Sequence, residues 1–249
     1  MAGSAVDRDN LAHWLTLYLD ALQELIDGHY SRELQVVVVA VNSGRSSPVP
    51  FGHVVREQGP SVRFYVDPAA EFEVLIDDWT APHELAHLLL PYVDARWLSE
   101  GFASYYQNVL LTHTGVYTPE RAWDKLRERF ARAGAEGRRA TPASGASRLL
   151  TYWSGAALAL RADLELRRRG SSLDEVLKQL AICCLPARRS WSDMELASKL
   201  DELAGMALVV PLVMAYRHQQ GMPPTADLFT APDEALRRQI MAPTGRLPR

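Results

Sequence analysis

A chain of 249 residues that is 47% hydrophobic and 23% charged carries enough apolar material for a sizeable core, in one large domain or two intimate subdomains. Its formal net charge of -3 provides no global basic field, so no nucleic-acid partner is expected. The longest apolar runs, such as Leu208 to Ala215 and Val36 to Val41, fall far short of the roughly 20 residues of a membrane-spanning helix, so no membrane span is expected.

The chain starts Met1-Ala2-Gly3-Ser4 and reaches charge at Asp7 and Arg8, without the basic segment, apolar stretch and cleavage site of a secretory signal. The expected compartment is the cytoplasm for the chain as written, or the periplasm or exterior if a signal has been removed. From Asn10 to Asp27, Leu11, Trp14, Leu15, Tyr18, Leu22, Leu25 and Ile26 recur at the spacing of an amphipathic helix. The β-branched run within Leu34 to Val41 predicts a buried strand, and His53 to Arg56 and Val62 to Val66 predict two shorter ones. Gly44 to Pro50 and Gln58 to Ser61 carry the turn residues of loops or a hairpin.

After Asp67-Pro68 the pattern turns helical, over roughly 70–90, 98–113, 119–133, 148–168, 172–183, 192–203 and 206–219. Ser172-Leu-Asp-Glu175 and Ser192-Asp-Met-Glu195 fit the capping box. Gly134 to Ser147 reads as a mobile surface loop, and Gly221 to Arg249 as a loosely packed tail with some helix near Asp233 to Ile240. The arginines Arg167 to Arg169 end a helix, where a solvated cationic terminus accounts for them. The two cysteines, Cys183 and Cys184, are adjacent, and neighbours sit closer than an ordinary disulfide prefers, so two buried free thiols are expected. The division expected is an α/β subdomain over 1–90 and a helical subdomain over 91–249, with a cleft between them.

Residues 83–87 read His-Glu-Leu-Ala-His inside a helical pattern, and residues four apart share one helix face. His83 and His87 can therefore grip one ion. Catalytic zinc keeps three protein ligands and an open fourth position. Glu100, near the start of the next helix, offers the third. Pro91 should stop the histidine helix near Leu90, and the nine residues 91–99 could span about 30 Å if extended, ample for a return. Glu84 is about 100° round the helix from His83, where a general base can flank the open position without binding the ion. Zinc lowers the pKa of bound water to about 7, and Glu84 would take the proton as water attacks a carbonyl and pass it to the leaving amine. Amide hydrolysis is the expected reaction.

The wording His83-Glu-Leu-Ala-His87 followed by Trp97-Leu-Ser-Glu-Gly-Phe-Ala-Ser-Tyr105 resembles the gluzincin peptidases, in particular the aminopeptidase N and glycyl aminopeptidase families, over about residues 52–220. The resemblance implies an α+β, mostly helical, thermolysin-like zincin catalytic domain with a small N-terminal sheet, a central histidine helix and an all-helical C-terminal part. It also implies Glu100 as the carboxylate ligand. The stretch from Tyr152-Trp-Ser-Gly, with Ser172-Leu-Asp-Glu-Val-Leu beyond it, is similar to the glycyl aminopeptidase segment whose tyrosine steadies the oxyanion, which implies that role for Tyr152. Gly52 and His53 would lie on the edge strand beside the substrate.

The sequence also departs from these families. The His87-to-Glu100 spacer is shorter than in aminopeptidase N, the Gly-Ala-Met-Glu-Asn motif that holds a substrate's free amine is absent, and Ser154 stands where relatives carry lysine. Trp97, Tyr105 and Tyr106 read as packing residues behind the ligand helix. Two functions follow: a peptidase with one zinc ion acting on peptide or protein substrates, aminopeptidase-like or an endopeptidase, or a catalytically silent zinc-site protein that binds extended peptide segments.

Overall fold

The computed structural model describes residues 8–28, 34–44, 47–56, 61–185 and 189–242. The expectations for the first seven residues, for the loop at 57–60, for part of the 44–50 loop and for the end of the tail lie outside these. The chain opens with α1 (Arg8–Leu25), whose Trp14, Tyr18 and Leu22 are buried as the periodicity requires. Three strands follow, β1 (Gln35–Ala40), β2 (Phe51–Val55) and β3 (Ser61–Val66). They form one sheet in the order β1-β3-β2, with β1 parallel and β2 antiparallel to the central β3. The valine run of β1 is half-buried rather than buried, because β1 is an outer strand and only alternate residues, Val36 and Val38, meet the core. The other outer strand, β2, is the one that borders the site.

The single helix expected over 70–90 is two helices and a turn: α2 (Phe72–Asp77), α3 (Thr80–Ala86) and a 3-10 turn over His87–Leu89. Asp78 is extended, and its side chain accepts from the Thr80 amide at 2.8 Å and from the Ser47 hydroxyl at 3.2 Å, which starts a new helix there. Pro82 fits only in such a first turn, where its missing N–H has no partner to lose. Leu90 is extended ahead of Pro91, as the proline ring demands.

The rest is helical: α4 (Arg96–His113), α5 (Pro119–Glu136), α6 (Arg148–Arg168), α7 (Leu173–Cys183), α8 (Asp193–Ala204), α9 (Val209–Tyr216) and α10 (Glu234–Ile240). At Ser192 both halves of the capping box form. At Ser172 only the serine half does, because Glu175 turns outward to Lys178 at 2.9 Å. One continuous core draws on α1, β3, α3 and α4 to α9, with Trp97, Tyr105 and Tyr106 fully inside it. Among the described residues no helix is long and apolar enough to cross a membrane.

Four sequence expectations are corrected here. Gly134 to Ser147 begins with the last turn of α5 and contains a 3-10 turn over Pro142–Ser144 with a capping box at Thr141, so it is structured by local hydrogen bonds. The described part of the tail packs, with Leu228, Ile240 and Met241 buried, because α10 lays an apolar face on the helical core. Arg167 does not end in solvent: it joins Asp163 at 3.1 Å and Asp174 at 2.7 Å, beside the hydroxyls that Tyr105 and Tyr106 donate to those two carboxylates. Arg168 likewise ties Asp233, at the head of α10, at 2.6 Å. Cys183 and Cys184 are disulfide-bonded to each other at the surface end of α7, not buried as free thiols. The end of a helix gives the adjacent pair a non-helical residue, Cys184, with which to close.

Candidate metal centre and cleft

His83 stands on α3 and His87 at its C-cap, where the His87 amide still donates to the His83 carbonyl, so the two rings remain one turn apart. Their centroids are 5.0 Å apart and nearly perpendicular. Glu100, in the second turn of α4, reaches between them. Its Oε2 lies 3.2 Å from His83 Nε2 and 3.6 Å from His87 Nε2. The three donor atoms all fall within 4.8 Å of one another. Donors bound at 2.0–2.1 Å in a tetrahedron lie roughly 3.3 Å apart, so this set fits one zinc-sized ion. Two imidazole nitrogens and a carboxylate oxygen are also a donor set that zinc accepts.

The outer ring nitrogens have partners too. His83 Nδ1 lies 3.2 Å from Gln107 Oε1, two turns along α4 from Glu100. His87 Nδ1 lies 3.3 Å from Ser99 Oγ. Such contacts fix ring orientation and direct the other nitrogen inward. Arg56, at the end of β2, donates to the His87 carbonyl at 2.6 Å and to the Leu90 carbonyl at 3.0 Å, capping the turn that carries His87. Burial raises the cost of charge on Glu100, but hydrogen bonds and positive charge from His83 and His87 outweigh it and hold the carboxyl well below the usual range.

Glu84 lines the cleft one residue from His83 and, among the described residues, has no hydrogen bond or ion pair. Gly52 on β2 is buried against it, and a Cβ there would come within 2.7 Å of Glu84 Cγ, 3.1 Å of Thr80 and 3.2 Å of Phe64. Glycine is thus what lets the edge strand approach the carboxylate. His53 also lines the cleft, tilted against Phe51 at 5.4 Å and stacked on Tyr65 at 6.1 Å between ring centroids. Tyr152 on α6 stacks on His83, with centroids 5.7 Å apart and planes 9° from parallel. Burial, and then the neighbouring Glu100 charge, push its hydroxyl pKa up. The open cleft has a volume of about 400 Å³ and is bordered by β2, α3, the start of α4 and the start of α6.

The structure therefore brings His83, Glu84, His87, Glu100, Tyr152, Gly52 and His53 to one cleft. Gln107, Ser99, Arg56, Arg96 and Arg148 were not singled out from sequence. Gln107 carried a signal, since it sits seven residues after Glu100 on one helix face. Arg56 carried none, because its partners are backbone carbonyls of a distant turn.

Residues 80–159 match the family model of the M61 glycyl aminopeptidases. The chain matches no curated protein. In fold it is similar to an aminopeptidase N family protein from Idiomarina loihiensis, at 15% identity and a TM-score of 0.59, over 90% of this chain and 45% of that one. It is also similar to an M1 zinc metallopeptidase from Deinococcus radiodurans, at 22% identity and a TM-score of 0.56, over 93% of this chain and 48% of that one. The chain thus spans somewhat under half the length of these structures. Its metal-sized donor cluster lies on a helical fold with a small sheet, and in family match and fold the chain resembles the gluzincin aminopeptidases.

Proposed function

We propose that the protein is a zinc-dependent peptidase with one ion held by His83, His87 and Glu100. The observation that carries this reading is the convergence of the three donor atoms, with the Glu84 carboxylate unengaged on the same turn. Zinc bound there supplies Lewis-acid polarisation of a carbonyl and acidifies a water molecule. Glu84 serves as general base, accepting a proton on its carboxylate and returning it to the leaving amine. The Tyr152 hydroxyl donates to the oxygen on which negative charge develops, a contribution worth about 3–4 kcal/mol when the donor is fixed in advance. Gln107 and Ser99 hold the imidazoles in register, and Arg56 holds the turn beneath them. Gly52 and His53 form the wall along which an extended peptide lies. In this reading residues 1–90 supply the histidines, base and wall, and residues 91–249 supply Glu100 and Tyr152.

Zinc content and turnover of a mixed peptide library, measured together across about pH 6 to 9, test it. Stoichiometric zinc with cleavage supports the peptidase. Full zinc occupancy without cleavage anywhere in that range would favour a silent zinc-site protein that holds peptide segments.

A further inference from the structure

Two arginines in the cleft have no assignment in the reaction above. Arg96 is the first residue of α4 and Arg148 the first of α6. Their guanidinium carbons lie 5.9 and 5.6 Å from the centroid of the same ring, that of Tyr152. Both line the cleft, and the Arg96 side chain is 67% exposed. Among the described residues Arg96 has one carboxylate neighbour, Glu100 Oε1 at 3.5 Å, on the oxygen that the histidines do not share. Arg148 has no ion pair among the described residues.

These positions are costly. Two cations beside one ring repel each other, and the first turn of a helix is the wrong end of its dipole for a positive charge. The ring face offsets part of that cost. The acidic residues that line the cleft among the described residues are Glu84 and Glu100, both already engaged in the proposed reaction. Among the described residues no further carboxylate stands there to receive a substrate's ammonium group, and the two guanidiniums would repel one. A guanidinium presents a planar fork of donors that matches a carboxylate.

We infer that Arg96 and Arg148 select peptides carrying a carboxylate next to the reacting bond, supplied by an Asp or Glu side chain or by the peptide's own C-terminus. The inference rests on the peptidase reading for its substrate class. It is tested through binding as well as turnover, so the two can fail separately.

The probes are blocked alanine peptides with a single central Glu or Gln, and alanine peptides ending in a free acid or an amide. Affinities are measured by calorimetry on the zinc-loaded Glu84→Gln variant, and kcat/KM on the wild-type protein. The expected result is a preference of about tenfold or more for the charged member of at least one pair, as a charge-assisted hydrogen bond provides. The Glu/Gln pair and the acid/amide pair identify which source supplies the carboxylate. Arg148→Gln and Arg96→Gln should each bring the ratio toward one, and Arg148→Lys should restore part of it. Ratios near one in the unsubstituted cleft, or ratios that survive both glutamine variants, would overturn the inference. Zinc-loaded wild type that cleaves neither these probes nor the mixed peptide library while the binding ratio holds would instead overturn the peptidase reading and leave carboxylate selection standing.

Discussion

Where α4 crosses α6, Gly101 and Gly155 face each other so closely that a Cβ on Gly101 would overlap the Gly155 backbone, and one on Gly155 would overlap the Trp97 carbonyl oxygen. Gly101 follows Glu100, and Gly155 lies one turn after Tyr152. The glycine contact therefore sets the distance between the carboxylate and the tyrosine. Gly155→Ala should destabilise the protein by about 1–3 kcal/mol or more, as overpacking does, lowering the unfolding midpoint by roughly 2–4 °C per kcal/mol. Thermal unfolding of the variant checks this, and an unchanged midpoint would mean that the helices can separate without cost.

Glu84→Gln keeps the shape of the side chain and removes the proton acceptor. Zinc content should stay at the wild-type level while kcat falls by about 10²–10⁴. Metal analysis beside steady-state kinetics reads both quantities. Turnover near the wild-type rate would remove Glu84 from the mechanism.

Gln107 touches the outer nitrogen of His83 and none of the three donor atoms, so its loss tests the outer hydrogen bond by itself. Gln107→Leu should weaken zinc binding by about 10- to 100-fold. Glu100→Ala, which removes a donor, should weaken it further. Competition titration against a chelator ranks the two, and equal affinities for wild type and Glu100→Ala would place the carboxylate outside the metal's coordination.

Tyr152→Phe removes one hydroxyl and leaves the ring stacked on His83. The rate constant should drop by about 10²–10³ with zinc retained, the usual effect of deleting an oxyanion donor. A rate equal to wild type would reduce Tyr152 to a packing residue.

His113, at the end of α4, lies 3.2 Å from the Ile240 carbonyl, where α10 ends. Burial lowers its pKa from 6.5, against the Ile240 carbonyl and the charge of Glu24, which favour the protonated form, while Arg167 disfavours it. The folded state then binds fewer protons than the unfolded one. Its contribution is complete above the unfolded value of 6.5 and is lost as pH falls through the lower folded value. Melting points from pH 7 to 5 should fall more steeply for wild type than for His113→Gln, and parallel curves would refute this.

Much of the site was legible because its spacing is local. His83 and His87 share a face through backbone geometry alone, and α6 runs over the expected 148–168 because its capping residue, Ser147, and its apolar run are contiguous. Apolar periodicity across 70–90 conceals the break that Asp78 makes, although Pro82, which belongs in a first turn, marks it in the sequence. Of the two partners of Arg167, Asp163 lies one turn back on the same helix, α6, within reach of local spacing, whereas Asp174 lies on α7, which only packing brings alongside.

By itself the sequence determined the three strands, most of the helices, and that two imidazoles stand one turn apart, because hydrogen bonds between near neighbours fix those geometries. Tertiary structure alone decided the strand order β1-β3-β2, the approach of Gly52 to Glu84 and the meeting of Arg96 and Arg148 at Tyr152. These depend on how closely separate elements pack, which is set by side-chain volume at distant positions rather than by any local spacing.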